Sequence, residues 1–360
     1  TVITIQVQNE PGTYGSVRDY SPTAEKLFKG PVPAPLLKKL RKPAGSWQQV
    51  FGGDAEEFFH AWSVASFIGQ VAEAGRKEYA LPLYVNAALR DPFHPGKPGG
   101  YASGGPTDNV LDIYRAAAPA IDIIGPDIYM RESQKYFRVL ELYGRADNPL
   151  FVTETGNDKT YARYFFETLG RGGIGFVPFG MDFTGYSNHP LGAKATDATM
   201  VAPFADNYRL VAPFAQKWAQ LSFEGKVWGV AQPDDSADRT LDFGRWNAKV
   251  TWHEWQFGMK EWTLASAGTP EGREIPDGGL LVAQLGPDEF LVTGRNARIT
   301  FGPSDKQGKV NGLIYARVEE GHYDEKGGWV FERVWNGDQT DYGLNFTALP
   351  QLLRVRLATY

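Results

Sequence analysis

The sequence predicts an α/β fold with parallel strands in its first part and an antiparallel β domain in its second part. Up to about residue 225, short apolar runs alternate with segments of helical spacing, which is the pattern of βα units. From residue 226 onward, short strands follow one another with turn sequences between them. Two apolar runs of the first part end on a glutamate, as strands do at the catalytic face of α/β barrels. We therefore predict a partial (β/α) barrel over 1–225 and a β-sandwich over 226–360.

The first strand covers residues 1–8, a run of β-branched and apolar residues that we interpret as a buried parallel strand. It ends on Asn9 and Glu10, and a Pro-Gly turn follows. A second run, residues 150–154, ends on Glu154 before Thr155 and Gly156. Both glutamates are thus predicted at the carboxyl ends of parallel strands, where barrel enzymes carry their chemistry.

The other predicted strands of the first part are 81–89, 121–129 and 174–182. Helices are predicted between the strands, at 34–41, 55–76, 107–118, 133–143, 158–169 and 204–221. Five strands cannot close a barrel of eight, and their apolar edges would be exposed. We therefore expect the first three strands of the barrel to precede residue 1.

The second part has seven predicted strands separated by sequences such as Lys326-Gly-Gly and Asn336-Gly-Asp. They are placed at 227–231, 280–284, 289–293, 297–301, 313–319, 329–335 and 352–358.

Composition excludes several classes of function. A net charge of −5 without a basic stripe argues against a nucleic-acid partner. The absence of cysteine excludes disulfides and thiolate metal sites, and the five histidines lack metal-ligand spacing, so we predict no metal or cofactor. No apolar run has membrane-spanning length. The absence of cysteine is compatible with either the cytoplasm or the periplasm, so the compartment is left open. The sequence does not give the oligomeric state.

Glu10 and Glu154 are the candidate catalytic residues. Two strand-end carboxylates are the minimum apparatus for retaining glycoside hydrolysis, with Glu10 as acid/base and Glu154 as nucleophile. The alternative for Glu10 is a structural role in which it caps the following loop. The alternative for Glu154 is an ion pair at the rim of the barrel. Burial of a carboxylate without a partner is costly, which favours the functional interpretation of Glu10.

Five further residues are candidates for binding or supporting the substrate. Asn9 offers an amide to a sugar hydroxyl, and Tyr129 offers a phenol that would keep Glu154 ionised. Asn86 and Asp182 lie on predicted strands and could bind sugar hydroxyls, as could Asp127. For Asn86 and Asp127, a satisfied polar group of the core is an equal alternative, and Tyr129 could instead pack against a helix. A content of 14% aromatic residues fits a carbohydrate partner and equally fits two aromatic cores.

The segment Gln6-Val-Gln-Asn9-Glu10-Pro-Gly12 resembles the acid/base strand of clan A glycoside hydrolases. In that clan an Asn-Glu pair ends the fourth barrel strand and the nucleophilic glutamate ends the seventh. The resemblance implies that Glu10 ends strand four and Glu154 ends strand seven. It also implies that Asn86, Tyr129 and Asp182 belong to strands five, six and eight.

Within the clan, the Gln-x-x-Asn-Glu-x-Gly pattern is similar to family 35, the β-galactosidases. The segment from Gly286 to Gly294 resembles the C-terminal β domain of a bacterial branch of that family. The resemblance implies a retaining β-galactosidase that acts on terminal β-galactosides. The rival interpretations are another clan A β-glycosidase, acting on glucosides, mannosides or xylan, and a non-catalytic carbohydrate-binding protein.

Overall fold

The computed structural model describes residues 2–181, 187, 189–195, 197–254, 275–304 and 312–360. The chain forms two compact units. One consists of Thr1–Ile128 with Phe137–Glu154, and the other of Tyr129–Tyr136 with Thr155–Tyr360. The division at residue 225, which follows from the change in sequence pattern, stays a prediction.

A five-stranded parallel sheet confirms the predicted α/β class. Its strands are β1 (Ile5–Gln8), β2 (Leu83–Ala88), β3 (Ile123–Ile128), β4 (Phe151–Thr155) and β5 (Gly175–Pro178). They lie in the order β1-β2-β3-β4-β5, so each strand neighbours the next one along the chain. The carboxyl ends of β1 to β4 therefore meet at one edge of the sheet, which is where the predicted glutamates lie.

The first strand differs from the prediction, since three of the four residues of β1 are exposed and Val7 is only half-buried. The reason is its position at the end of the strand order, where it pairs with β2 alone. The next strands are buried as expected for a parallel sheet, and β3 is buried at all six of its positions.

Ten α-helices lie among the described residues of the first part. They are α1 (Pro22–Phe28), α2 (Ala34–Leu40), α3 (Trp47–Phe51), α4 (Ala55–Glu78), α5 (Leu111–Ala117), α6 (Ser133–Tyr143), α7 (Lys159–Ala162), α8 (Tyr164–Gly170), α9 (Ala198–Val211) and α10 (Ala215–Phe223). The predictions of α2, α4 and α6 are confirmed to within a residue or two. The predicted apolar face of α4 is buried at Ala65, Ile68 and Ala72, whereas Phe58 and Trp62 are only half-buried.

Three predicted helices are interrupted in the structure. The segment 204–221 forms α9 and α10 with a turn of 3₁₀ helix between them, at Pro213, whose ring and missing N–H prevent a regular helix. The segment 107–118 begins with a 3₁₀ turn, and the Thr107 hydroxyl donates to Asn109 Oδ1 at 2.8 Å instead of capping α5. The segment 158–169 divides into α7 and α8, and Asp158 caps α7 through Thr160 N at 3.0 Å.

The second part contains two antiparallel sheets, as predicted. The six-stranded sheet has the order β13-β12-β15-β10-β9-β6, and the four-stranded sheet has the order β14-β11-β8-β7. The strands are β6 (Val227–Ala231), β7 (Arg239–Asp242), β8 (Trp246–Trp252), β9 (Gly279–Gly286), β10 (Glu289–Arg295), β11 (Ala297–Pro303), β12 (Leu313–Tyr323), β13 (Trp329–Val334), β14 (Leu344–Phe346) and β15 (Leu352–Thr359). The sequence-based prediction omitted β7, β8 and β14.

One hydrophobic cluster draws residues from both of these sheets. Trp246 and Phe346 of the smaller sheet and Phe290 and Leu353 of the larger sheet are at most 1% exposed. Burial of these side chains is the main stabilising contribution to this part of the chain. Among the described residues, no helix combines the length and the apolar character needed to cross a membrane.

Candidate active site

Three carboxyl groups converge at the carboxyl edge of the parallel sheet. Glu10 follows β1, Asp127 lies in β3 and Glu154 lies in β4. One carboxylate oxygen of each residue lies within 4.8 Å of the other two. The structure thus brings together the two glutamates that the sequence predicts as catalytic, and it adds Asp127 between them.

The backbone at Glu10 has an unusual conformation that directs its side chain. The pairing of β1 with β2 shifts register between Gln6 and Gln8, which is typical of a β-bulge. Glu10 then has a φ of 40°, in the left-handed region that non-glycine residues seldom adopt. The Glu10 amide donates to Asn86 Oδ1 at 2.8 Å, which holds this conformation.

Asn86, a predicted substrate-binding residue, lies at the centre of the polar network. It is fully buried at the fourth position of β2. Its Nδ2 lies 2.6 Å from Asp127 Oδ2, 3.0 Å from Asn9 Oδ1 and 3.2 Å from Glu154 Oε1. Its Oδ1 accepts from Gln6 Nε2 at 2.9 Å and from the Glu10 amide. Asn86 therefore contacts Asn9, Glu10 and Glu154, and it fixes their positions relative to one another.

Asp127 is the most buried of the three acids, with 3% exposure. Its Oδ1 accepts from the Thr153 hydroxyl at 2.8 Å, and one of its carboxyl oxygens lies within 4.8 Å of one from Glu10 and one from Glu154. Gly125 makes this arrangement possible, because a Cβ there would lie 2.3 Å from Thr153 Cγ2. Burial, together with the charges of Glu154 and Glu10, raises the pKa of Asp127 to about 9.

Asn9 lies on the exposed side of the network. Its Oδ1 accepts from Gln6 Nε2 at 2.9 Å and from Asn86 Nδ2. The Tyr84 hydroxyl donates to Gln6 Oε1 at 3.2 Å. In the described part of the chain, the hydrogen bonds of the Asn9 side chain are all at Oδ1, which leaves its Nδ2 group available as a donor. Gln6 was not predicted as a site residue, although it is the first residue of the Gln-x-x-Asn-Glu-x-Gly pattern in the sequence.

The loop between β2 and α5 packs against the segment that follows Glu10. Thr13 and Ser103 exchange two backbone hydrogen bonds of 2.9 and 3.0 Å. A Cβ at Gly105 would lie 2.1 Å from the Pro11 carbonyl oxygen, so the two segments touch through their backbones. The Tyr101 hydroxyl donates to the buried Glu57 at 2.8 Å and fixes the loop on α4. This long loop therefore supports the turn that carries Glu10.

The structure does not test the roles of two other predicted site residues. Tyr129 belongs to the second compact unit, and its carbonyl oxygen accepts from the Tyr161 hydroxyl at 2.6 Å. Asp182 lies outside the described residues. The roles proposed for both stay predictions.

Three converging carboxyl groups also have the spacing of a cation site. Acidic clusters of this kind are common without an ion, and the Asn86 amide already donates to a carboxyl oxygen of Asp127 and one of Glu154. We therefore assign no metal to the cluster.

Comparison with known proteins concerns the end of the first part and most of the second part of the chain. Residues 204–347 match the model of a family described as a domain of unknown function, DUF5597. No curated protein matches the chain. The matched region begins after all three carboxyl groups of the site, so the match assigns no role to them.

Proposed function

We propose that the protein is a retaining β-glycosidase in which Glu10 is the acid/base and Glu154 the nucleophile. The observation that carries the proposal is the separation of the two carboxylates, whose nearest ligand oxygens lie within 4.8 Å. Retaining enzymes have carboxyl groups about 5–5.5 Å apart, and inverting enzymes have them roughly 6.5–9.5 Å apart to admit a water molecule. The observed spacing favours direct attack by one carboxylate.

In the proposed first step, Glu154 attacks the anomeric carbon while Glu10 gives its proton to the glycosidic oxygen. The bond from the anomeric carbon to the leaving oxygen breaks, and a glycosyl ester forms on Glu154. In the second step, Glu10 takes a proton from water, whose oxygen displaces Glu154. The sugar leaves with its original anomeric configuration, and Glu10 is protonated again.

The surrounding residues suit these roles. The Asn9 Nδ2 group is available for the sugar hydroxyl next to the anomeric carbon, a contact that strengthens in the transition state. Asn86 supports Glu154 and the backbone of Glu10 at the same time. We further propose that the sugar is galactose and that the sheet is part of a (β/α)₈ barrel, both on the strength of the sequence resemblance to family 35.

The test is turnover of a panel of aryl β-glycosides by the chain and by Glu154→Gln. We expect cleavage of the galactoside with the β-anomer as first product, followed by proton NMR. Glu154→Gln should show no turnover above background, because the amide is isosteric but not nucleophilic. A 2-deoxy-2-fluoro-galactoside should add one sugar mass to the peptide that contains Glu154.

Glu73→Gln is the matched control, since Glu73 is an exposed glutamate on α4 of the same compact unit. It should keep full activity. Cleavage of a different glycoside would retain the mechanism and replace the sugar. If no glycoside is cleaved while galactose still binds in calorimetry, the protein is a carbohydrate-binding protein and the proposal is wrong.

A further inference from the structure

We propose that Asp127 is a positioning residue that carries a proton between the two glutamates. The role of this proton in catalysis rests on the proposed function. Its presence on Asp127 is inferred from the structure of the cluster and does not depend on that function. The sequence indicated a sugar ligand or a core polar group at this position, and the structure favours a third role.

The first argument is geometric. One carboxyl oxygen of each of Asp127, Glu10 and Glu154 lies within 4.8 Å of the other two. Carboxylates this close repel one another unless a proton or a cation lies among them. Asp127 is the most buried of the three, and burial favours the neutral form.

The second argument concerns the charges around Asp127. Glu154 and Glu10 are the charged groups that act on it most strongly, and both oppose its ionisation. Tyr84 of β2 and Tyr143 of α6 also interact with Asp127, and their own pKa values are raised, first by burial. The partners that favour ionisation are neutral donors, Asn86 and Thr153. Three acids this close cannot all be ionised without a cation, and one shared proton removes a charge.

The third argument is that the site accommodates a donor at Asp127. The Thr153 hydroxyl lies 2.8 Å from Asp127 Oδ1 and 3.3 Å from the Pro126 carbonyl oxygen. It can therefore turn toward Pro126 and accept from Asp127. The proton on Asp127 then keeps the total charge of the cluster low, so that Glu154 stays ionised beside Glu10.

The test is the pH dependence of thermal stability in the wild type and in Asp127→Asn. An acid whose pKa rises from 3.8 to about 9 on folding gives stability that is fully present below pH 3.8 and lost as the pH rises through about 9. Asparagine is neutral and of the same shape, so it lacks this dependence. We expect the Tm of the wild type to fall relative to that of Asp127→Asn as the pH is raised from 4 to 9.

Asp147→Asn is the control with the opposite sign. Burial disfavours the charge of Asp147, but Lys39 and Arg145 outweigh it and lower its pKa to about 2. The stability from Asp147 is present above pH 3.8 and lost as the pH falls through about 2. The Tm difference between wild type and Asp147→Asn should therefore stay constant from pH 4 to 9.

Infrared spectroscopy of the wild type detects the proton directly and does not depend on the folding of a variant. At neutral pH we expect a carbonyl stretching band from protonated Asp127, in addition to any band from Glu10. The Asp127 band should disappear near pH 9 and be lost from the spectrum of folded Asp127→Asn. A spectrum with carboxylate bands alone at neutral pH would overturn the proposal, as would a Tm difference that does not change with pH.

Magnesium and calcium chloride test the competing occupant. If either salt raises the Tm of the wild type but not of Asp127→Asn, a cation occupies the cluster and the proposal of a proton on Asp127 is wrong.

Measurements of activity separate the proposal for Asp127 from the proposed glycosidase function. Asp127→Asn should keep kcat within about ten-fold of wild type, a change of about 1.4 kcal/mol, whereas Glu154→Gln should lose it. A loss at Asp127 as large as that at Glu154 would contradict a positioning role.

Discussion

The Asn86 side chain shows how much of the site depends on one residue. Its Nδ2 has two hydrogen atoms and lies within 3.2 Å of three acceptors, on Asn9, Asp127 and Glu154. Its Oδ1 is used by two donors. An amide is the only neutral side-chain group that both donates twice and accepts twice. A carboxylate in its place would remove the Nδ2 group that donates to Asp127 and Glu154.

We therefore expect Asn86→Asp to destabilise the protein by about 3 kcal/mol or more, because buried acceptors lose their donor and a further acid is buried beside them. Urea unfolding followed by circular dichroism measures the change. Asn336→Asp makes the same substitution at an exposed turn and should cost less than about 0.5 kcal/mol. Equal costs for the two variants would show that the network around Asn86 contributes nothing special.

Helix α4 contains two glycines in different environments, and this difference can be measured. A Cβ at Gly75 would meet nothing within 4 Å, whereas a Cβ at Gly69 would lie 3.0 Å from Ala118 Cα and 3.1 Å from the Ala117 carbonyl oxygen. Gly69 is buried and lets α4 approach the end of α5. Gly75 is exposed and has no such function.

Gly75→Ala should stabilise the protein by about 0.5–1 kcal/mol, because alanine loses less backbone entropy than glycine in a helix. Gly69→Ala gains the same helix propensity but must displace the backbone at Ala118, and we expect a net destabilisation of about 1–3 kcal/mol. Thermal or urea unfolding of each variant measures its change in the free energy of unfolding, which we expect to be an increase for Gly75→Ala and a decrease for Gly69→Ala. Stabilisation by Gly69→Ala would mean that the close approach of the two helices is easily relaxed.

Elements with a strong local signal could be predicted from the sequence. Strands β2 to β4 are short apolar runs with a polar residue near the carboxyl end, and α6 has clear helical spacing. Strand β8 was omitted although Trp246, Ala248, Val250 and Trp252 alternate with polar residues, which is a period-2 signal. Strand β14 has three residues, too few for any periodicity.

The candidate site was predictable in part, for a physical reason. Glu10 and Glu154 end apolar strands, so their position at one edge of a parallel sheet follows from the strand pattern. The role of Asp127 does not follow, because it depends on burial and on hydrogen bonds to residues 26 and 41 positions away. The pattern of residues along the chain does not show which distant polar side chains Asp127 contacts in the folded protein.

At the scale of the whole molecule, buried tyrosines set the stability at high pH. Burial raises the pKa to about 12 in Tyr101 and Tyr315, and Glu57 adds to the effect at Tyr101. These residues lie in both compact units. The ordinary value is 10.0, so the folded protein keeps phenol protons that the unfolded chain releases. The resulting stability is fully present below pH 10 and lost as the pH rises through about 12.

We therefore expect cooperative unfolding between about pH 10 and 12, with phenolate absorbance and loss of circular dichroism in the same transition. Tyr315→Phe should shift the midpoint upward, because it removes a proton that unfolding releases and leaves the buried ring in place. A shift of two pKa units corresponds to a contribution on the order of 2–3 kcal/mol at this site. Tyr342→Phe, at an exposed residue, is the control and should leave the midpoint unchanged. Phenolate absorbance that rises fully before the circular dichroism changes would show that the buried tyrosines ionise in the folded state and do not set the alkaline limit.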